Sequence, residues 1–392
     1  MKVCFITFGC RLNRAEALQE EANYLARGWE LTEKHSEADL FVVRGCSVTS
    51  RAQRDCEKTI DHLHRKYPFK RLVICGCLPK EKLSTAVRIP GKANLAKDSA
   101  SPVPTRTARA YLKVQDGCSG KCSFCIVPQF RGKSVSEPFD DLLGKARSFI
   151  DSGYREIVVT GCNLTLYASG GKRLPELVAA LAELSSACRI RLGSVEPGDC
   201  AAEIVDVIAE RANVCRYLHL PVQSGSNTVL AAMRRPYSVR DIERIAEKAR
   251  IRLPDLGLGC DLISGFPGET DMDHVATKGL VERIAFNHGH IFPYSKRPGT
   301  PAAASLSVVP KEIRSHRAHE LARLVDAQRS HFAKRFVGRE VEVVIEDESK
   351  QAGWTSEYIW FESLAEKPST DFPRKSLARF VVKKATPHRL LG

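Results

Sequence analysis

The stretch DGCSGKCSFCIVP, residues 116–128, places Cys118, Cys122 and Cys125 in the spacing C-x3-C-x2-C. Three close thiols are one ligand short of a tetrahedral zinc site, and the sequence offers no second C-x2-C pair or nearby histidine to complete one. On a four-iron cluster, three thiolates leave one iron open to a substrate or cofactor. The spacing therefore favours an iron–sulfur cluster, with a zinc site and three buried cysteines as alternatives.

Three further cysteines precede this stretch, each directly after a glycine at the end of an apolar run. KVCFITFGC ends at Cys10, ADLFVVRGC at Cys46 and RLVICGC at Cys77, and segments with helical periodicity separate the runs. Alternating strands and helices predict a parallel sheet. Since ligands of such sheets bind at the carboxyl ends of the strands, we expect these three cysteines to converge on one site.

The rest of the chain divides into three parts. Residues 84–110 are rich in Ser, Pro, Ala and Lys and read as a linker. Six strand–helix units follow, which predicts a complete or partial barrel, and a β-rich tail predicts a smaller one. The predicted fold is α/β, with an N-terminal parallel-sheet domain (1–83), a linker (84–110), a central partial (β/α)6 barrel (111–337) and a small C-terminal β-barrel (338–392).

Length, charge and cysteine content narrow the class of protein. A chain of 392 residues favours two or three domains, and a net charge of +14 favours an acidic partner, of which nucleic acid is the commonest. The sequence holds no apolar run long enough for a membrane span, and its first residues read as a β-strand and not as a signal peptide. We therefore expect a cytoplasmic protein whose 14 cysteines do not form a disulfide framework.

The cysteine motif with Phe124 before its last cysteine resembles the signature of the radical S-adenosylmethionine (SAM) superfamily. FGCRLNRAE, RGCSVTSRA and ICGC resemble the N-terminal motifs of methylthiotransferases, and LHLPVQSGSNTVLAAMRRPYS, CDLISGFPGET and FPYSKRPGTPAA resemble their radical domain. The tail, with GWTSEYIWF, is similar to the RNA-binding TRAM barrel. RLGSVEP, DGC and RPGT are most similar to enzymes that methylthiolate N6-threonylcarbamoyladenosine in tRNA.

The resemblance implies two 4Fe-4S clusters and SAM as cofactors. A cluster on Cys118, Cys122 and Cys125 would bind SAM at its open iron and, with an electron from a donor such as a flavodoxin or ferredoxin, give a 5′-deoxyadenosyl radical. That radical would abstract hydrogen from C2 of the adenine next to the anticodon. An auxiliary cluster on Cys10, Cys46 and Cys77 would supply sulfur, and a second SAM would supply the methyl group. We expect a monomer that acts on tRNA.

Residues at the predicted strand ends are the candidates for binding SAM. Glu196 and Gln223 are polar groups at such ends, and Gly161 would let the cofactor approach closely. The turn Gly265–Pro267 would wall the adenine, and His219 either flanks the pocket or is a hydrogen-bonded core histidine. The full set of candidate cofactor-binding residues is Phe124, Gly161, Ser194, Glu196, Gln223, Ile263 and Tyr294.

Arginines near the cysteines are the candidates for binding tRNA. Arg11, Arg51 and Arg54 belong to an exposed basic rim expected around Cys10 and Cys46, which would contact phosphates; solvated helix faces are the alternative. The residues expected to bind substrate are Arg14, Arg44, Arg131 and Arg297.

The segment between Cys77 and Cys118 is shorter than is usual in the family, which would affect tRNA docking.

The sequence leaves other functions open. The substrate would alternatively be isopentenyladenosine in tRNA or an aspartate of a ribosomal protein. The chain would otherwise be a radical SAM enzyme of another type, with Cys10, Cys46 and Cys77 structural, or a zinc-containing RNA-binding protein without enzymatic activity.

Overall fold

The computed structural model describes residues 1–78, 87–88 (backbone only), 107–365 and 372–392. The predicted linker, 84–110, falls mostly outside these ranges, and its last residues, 107–110, are buried. Within the described ranges, every helix is too short or too polar to span a membrane.

The N-terminal part alternates strands and helices, as the apolar periodicity predicts. Its elements are β1 (Lys2–Thr7), α1 (Arg11–Ala26), β2 (Glu30–Leu31), β3 (Leu40–Gly45), α2 (Ser50–Lys66), β4 (Arg71–Gly76) and β5 (Val87–Arg88). The strands pair in the order β2-β1-β3-β4-β5, and all pairs are parallel. This arrangement confirms the predicted parallel sheet.

Both faces of this sheet are covered, because alternate residues of a strand point to opposite sides. Phe41 and Val43 of β3 pack in a cluster with Ile60 of α2. Leu40 and Val42 pack on the other face, in a cluster with Tyr24 of α1. A sheet buried on both sides explains why β3 reads as a continuous apolar run in the sequence.

The central part follows the same alternation over a longer stretch. Its elements are β6 (Ala110–Lys113), β7 (Gln115–Asp116), α3 (Val127–Arg131), β8 (Val135–Ser136), α4 (Phe139–Asp151), β9 (Glu156–Thr160), β10 (Ala168–Ser169), β11 (Lys172–Arg173), α5 (Leu174–Glu183), β12 (Arg189–Leu192), α6 (Asp199–Glu210), β13 (Tyr217–Gln223), α7 (Asn227–Ala232), α8 (Val239–Arg252), β14 (Gly257–Ser264), α9 (Asp271–Ile284), β15 (His288–Pro293) and α10 (Lys311–Lys334).

Six of these strands form one parallel wall. β6, β9 and β12 make one sheet and β13, β14 and β15 another. Single parallel bridges from Ile190 to Val214 and from Ser194 to His219 join the two sheets. A large core between the strands and the helices holds residues such as Leu112, Ile157 and Leu258. The predicted partial (β/α)6 barrel is confirmed.

The C-terminal part is a six-stranded sheet. Its strands are β16 (Glu340–Asp347), β17 (Ala352–Thr355), β18 (Trp360–Glu362), β19 (Leu377–Val381), β20 (Lys384–Ala385) and β21 (Arg389–Leu391), in the order β19-β16-β17-β18-β21-β20. Its core contains Val343, Phe361 and Leu390 of the sheet. Phe332 of α10 and Phe336, which follows α10, complete this core. The sheet therefore has a hydrophobic core of its own, as the β-rich tail predicts.

A buried group of charges fixes this sheet to the barrel. Glu156 at the start of β9 accepts hydrogen bonds from Arg189 and Arg191 of β12, the latter with Nε 2.7 Å from Oε1. Burial acts to raise the pKa of Glu156, but Arg191 and Arg189 outweigh it and hold that pKa well below its usual value. Nη2 of Arg191 donates to the carbonyl of Thr355 at 2.7 Å, and Nη2 of Arg189 donates to that of Trp354 at 3.1 Å.

Candidate metal centres

The first cysteine triad lies on the loop between β7 and α3, at the carboxyl side of β6. Cys118, Cys122 and Cys125 are all half-buried. The backbone N–H of Gly120 donates to Sγ of Cys118 at 3.3 Å. Burial raises the pKa of the Cys125 thiol to about 11, and the neighbouring Cys122 and Cys118 add to that rise. The three thiols are thus close enough to interact electrostatically, as ligands of one cluster must be.

An arginine whose side chain is only 7% exposed lies against this triad. Nη1 of Arg235 donates to Sγ of Cys122 at 2.9 Å, and Nε donates to Oη of Tyr237 at 2.7 Å. Glu196 forms an ion pair with Arg235 and accepts a hydrogen bond from Asn163 at 2.9 Å. Glu196, expected to bind SAM, therefore holds Arg235 in place in this structure. Arg235 itself was not among the residues predicted from the sequence.

The second triad lies at the carboxyl ends of β1, β3 and β4, where the parallel sheet was expected to gather it. Cys10 is exposed, and Cys46 and Cys77 are buried. Burial raises the pKa of Cys46 to about 11, and Cys10 and Cys77 contribute to the rise. Gly9 has φ of +92°, and a Cβ there would lie 2.8 Å from Sγ of Cys46. Because any larger residue at position 9 would collide with Cys46, only glycine fits in the space between Cys10 and Cys46.

The spacing of both triads separates iron–sulfur clusters from zinc. Four ligands at about 2.3 Å from a zinc ion lie about 3.8 Å from one another in a tetrahedron. In the described part of the chain, neither triad has its three Sγ atoms within 4.8 Å of one another. Both are therefore too wide for one zinc ion without rearrangement. A multi-iron cluster does not require that close spacing, because each thiolate binds a different iron.

Arg131, in the helix after Cys125, connects the two triads. Its Nε donates to Sγ of Cys77 at 3.1 Å, and its Nη2 donates to Oδ1 of Asn13 at 2.8 Å. Its Nη1 donates to Glu16 at 2.9 Å and to Asp116 at 3.0 Å. Burial acts to lower the pKa of Arg131, but these acidic partners and Cys77 outweigh it and raise that pKa. Arg131 therefore fixes the loop of one triad against a cysteine of the other.

Two of the four arginines expected to bind substrate are buried and paired with carboxylates. Arg44 is 4% exposed and pairs with Glu16 at 2.6 Å and with Glu20. Arg131 is 8% exposed and pairs with Glu16 and Asp116. Carboxylates already neutralise both charges, so Arg44 does not belong to the exposed basic rim that was expected to include it. Long side chains near a site can fold inward when acidic partners lie on the adjacent helix.

The remaining arginines are placed differently. Arg14 is exposed and lies 6.0 Å from the ring centroid of Tyr111, and Arg51 and Arg54 are exposed on α2. Arg297 is 5% exposed. Its Nη1 donates to Oγ of Ser50 at 3.2 Å, its Nη2 donates to Gln53, and its Nε has no partner among the described residues.

Arg297 thus binds α2 through neutral groups only. Its burial lowers its pKa, while the nearby Cys46 acts to raise it. A buried cation with neutral partners has charge available for an anionic group. The position of Arg297 beside Cys46 agrees with the expected substrate contact, which stays a prediction.

The other predicted SAM-binding residues divide into two groups. Phe124 and Ile263 pack against Phe266 and Tyr294 in one apolar cluster, and the Tyr294 hydroxyl is buried without a hydrogen-bond partner among the described residues. This wall stands directly beside Cys125, because Phe124 precedes it in the chain. An unpartnered buried hydroxyl beside the first triad is available to a ligand.

Gly161, Ser194 and Gln223 lie at strand ends, as expected. Ser194 is exposed and bridges to His219, and Gln223 ends β13 with φ of +68°. A Cβ on Gly161 would lie 2.9 Å from Oε1 of Gln115, which accepts the backbone N–H of Asn163 at 3.0 Å. The missing side chain at Gly161 therefore makes room for Gln115. His219 is buried and hydrogen-bonded through Nδ1 to Tyr217.

Comparison with known proteins agrees with this geometry. Residues 112–281 match the Radical SAM superfamily, and residues 2–96 match the family described as Uncharacterized protein family UPF0004. The chain is 30% identical to the threonylcarbamoyladenosine tRNA methylthiotransferase MtaB of Bacillus subtilis, over 91% of this chain and 89% of that protein. It is 31% identical to the tRNA-2-methylthio-N(6)-dimethylallyladenosine synthase of Chlorobium limicola, over 88% of this chain and 87% of that protein.

Among solved structures, the radical S-adenosylmethionine methyltransferase TsrM of Kitasatospora setae is similar with a TM-score of 0.57 and 15% identity, covering 77% of each chain. The cobalamin-dependent S-adenosylmethionine radical enzyme OxsB is similar with a TM-score of 0.50 and 9% identity, covering 83% of this chain and 56% of that one. At these identities the likeness concerns the fold alone.

Proposed function

Because the chain belongs to the radical SAM methylthiotransferases, the family of both curated relatives, we propose that it adds a methylthio group to C2 of N6-threonylcarbamoyladenosine next to the anticodon of tRNA. The motifs RLGSVEP and RPGT support this substrate. The second candidate is the dimethylallyl (isopentenyl) nucleoside, since synthases named for it are as similar to this chain as MtaB is.

The observation that carries the proposal is the contact between Arg131 and Cys77. Arg131 lies in the helix that starts two residues after Cys125, and its Nε is 3.1 Å from Sγ of Cys77. Sulfur insertion requires a radical centre and a sulfur site within reach of one base. A single arginine that binds the second triad and belongs to the helix after the first supports that proximity.

The side chains have separable roles in this reaction. When bound, the cluster on Cys118, Cys122 and Cys125 with SAM supplies a 5′-deoxyadenosyl radical, and the cluster on Cys10, Cys46 and Cys77 supplies the sulfur site. Arg235, held by Glu196, neutralises charge at Cys122, and Arg131 does so at Cys77. The apolar wall of Phe124, Phe266 and Tyr294 excludes water from the first centre, which protects a radical.

The proposed partners follow from the surface. Exposed arginines at positions 14, 51 and 54 are available to tRNA phosphates, and the C-terminal sheet, the proposed TRAM-like domain, supplies a second contact. We place the enzyme in the cytoplasm as a monomer, with a flavodoxin or ferredoxin as the electron donor. The proposed domains are 1–83, 111–337 and 338–392.

Mass spectrometry of tRNA nucleosides tests the substrate. A strain that lacks the gene is compared with the same strain carrying the wild type or a Cys122→Ala variant. Loss of the methylthio group from the threonylcarbamoyl nucleoside alone, restored only by the wild type, is the expected result. Loss from the dimethylallyl nucleoside instead would establish the second candidate. No change in either nucleoside would refute both.

Iron analysis tests the two centres separately. After anaerobic reconstitution, two four-iron clusters give about eight irons per chain. A Cys46→Ala variant should retain about four, because the first triad is intact. About four irons in the wild type would remove the proposed sulfur site and leave a radical enzyme of another type.

A further inference from the structure

A group of side chains on the inner face of the barrel is not used by the proposed reaction. His219 of β13, Asp261 of β14 and His290 of β15 come from three adjacent parallel strands. Asp261 pairs in register with His290, and His219 pairs with Gly259, two residues before Asp261. Their strand neighbours Leu220, Cys260 and Leu262 point to the helices, so these three side chains point into the barrel.

The three side chains form a compact set of ligand atoms. Nε2 of His219 lies 3.0 Å from Oδ1 of Asp261, and Nδ1 of His290 lies 2.9 Å from the same oxygen. One atom from each residue fits within 4.8 Å of the other two. Among the described residues, His219, Asp261 and His290 are the histidine, cysteine or acidic residues whose ligand atoms lie this close together. The thiols of the two cysteine triads do not reach this spacing.

The orientation of His219 is a second, independent observation. Its side chain is 3% exposed, and its Nδ1 lies 2.9 Å from Oη of Tyr217. Among the described residues, its Nε2 has no partner with the geometry of a hydrogen bond, although Oδ1 of Asp261 lies at ion-pair distance. Metal-binding histidines have this arrangement: a partner fixes one ring nitrogen, and the other nitrogen is left for the metal. A buried nitrogen without a hydrogen bond otherwise costs stability.

We propose that His219, Asp261 and His290 bind a divalent first-row transition metal ion, for which Zn²⁺ is the probe. Two imidazoles and one carboxylate are a ligand set that such ions accept, and three protein ligands leave a coordination position open. The His290 side chain is 51% exposed, so that the site can be reached from the barrel opening. The cysteine triads are also possible zinc ligands, so they must be occupied by iron when the site is tested.

The site is separate from the first cysteine triad. Ile263, which packs in the cluster with Phe124, stands two residues beyond Asp261 on the same face of β14. Two residues of a strand span about 7 Å, so the metal would lie one layer of side chains deeper in the barrel than the wall beside Cys125. Its open position would face the interior, where a water molecule or an anionic group of a ligand completes the coordination.

Zinc binding to the full-length protein tests the proposal. Protein reconstituted anaerobically with iron and sulfide is treated with Zn²⁺, passed through a desalting column and analysed by mass spectrometry for metals. We expect one zinc per chain, and zinc K-edge X-ray absorption should show nitrogen and oxygen ligands without sulfur. Zinc with sulfur ligands would place it on cysteines and overturn the proposal. If no zinc is retained, His219, Asp261 and His290 form only a hydrogen-bonded group, and the proposal is overturned as well.

Matched variants locate the ion. His290→Gln removes a ligand at an exposed position and should abolish retention of zinc, whereas His288→Gln, on the same strand and face, should retain it. Tyr217→Phe leaves all three ligands and should weaken zinc binding by about 10–100-fold, as loss of an outer partner does. The variants should all have the same iron content and the same melting temperature, which shows that each of them is folded. Undiminished zinc in His290→Gln would refute the assignment.

Discussion

Nε of Arg131 donates a hydrogen bond to Sγ of Cys77 across 54 residues of sequence. The same guanidinium binds Glu16 of α1 and Asp116 of β7, so that it joins the N-terminal sheet, the loop of the first triad and a cysteine of the second. Both candidate clusters thus receive one hydrogen bond from an arginine, since Arg235 binds Cys122. Hydrogen bonds to cluster sulfurs are one of the factors that set reduction potential.

Arg131→Met should destabilise the folded protein by about 2–3 kcal/mol, because Glu16 and Asp116 lose charged hydrogen bonds but keep Lys113 as a partner. The melting temperature by circular dichroism measures this loss, and electron paramagnetic resonance of the reduced clusters should show a changed signal from the auxiliary one. Arg14→Met, at an exposed position of the same region, serves as the control and should leave both unchanged. A stable variant with an unaltered auxiliary signal would contradict the role given to Arg131.

Arg235→Met should alter the first cluster and leave the second alone. The variant removes the donor to Cys122 and leaves Glu196 without its cation. We expect a shifted reduction potential of the SAM-binding cluster and less 5′-deoxyadenosine per cluster, at unchanged iron content. The adjacent Arg234 is exposed, so Arg234→Met is the matched control. Equal potentials in the two variants would argue that Arg235 is only structural.

Gly9→Ala should prevent the protein from binding its auxiliary cluster. The added Cβ would lie 2.6 Å from Cβ and 2.8 Å from Sγ of Cys46, at φ of +92°. Iron content should fall from about eight to about four per chain while SAM binding persists. Gly28→Ala is the control for backbone strain alone, because Gly28 has φ of +80° and open space around its Cβ. A full iron complement in Gly9→Ala would show that the sheet can shift to admit the methyl group.

Asp116 should make the stability of the protein depend on acidic pH. Burial acts to raise its pKa, but Lys113 and Arg131 outweigh it and lower that pKa to about 2. The unfolded value is about 3.9, so the unfolded chain binds the proton first. The contribution is therefore complete above about pH 5 and is lost as the pH falls toward 2, by about 2 kcal/mol.

Urea unfolding of cluster-free protein between pH 6 and pH 3 measures this dependence. Asp116→Asn should be less stable at pH 6, with the difference from wild type shrinking as the pH falls. Asp151→Asn, at an exposed position, is the control. A difference that stays constant over this range would exclude the titration of Asp116 as the cause.

The positions of the cysteines could be predicted because they depend on local patterns. A glycine–cysteine pair at the end of each parallel strand fixes the second triad without knowledge of any side-chain contact, and the motif spacing does the same for the first. The alternation of elements likewise predicts the sheet and the barrel. These features rest on backbone topology, which apolar periodicity encodes directly.

The arginines could not be predicted in this way. Arg44 and Arg131 share Glu16, which lies 28 and 115 residues away from them, and Arg235 reaches Cys122 over 113 residues. A long flexible side chain near a site can turn to solvent or to a buried carboxylate, and only the assembled domains decide which. A signal was nevertheless present: Glu16 and Glu20 lie one turn apart on α1, so they form an acidic stripe that can pair with Arg44 of β3.

The attachment of the C-terminal sheet has a consequence for how such enzymes diverge. Arg189 and Arg191 bind the carbonyls of residues 354–356, and every amino acid supplies the same carbonyl. The outward-facing side chains of the sheet can therefore be exchanged without weakening these hydrogen bonds between the sheet and the barrel. A module attached in this way can change its outer surface during evolution while the barrel that carries it stays the same.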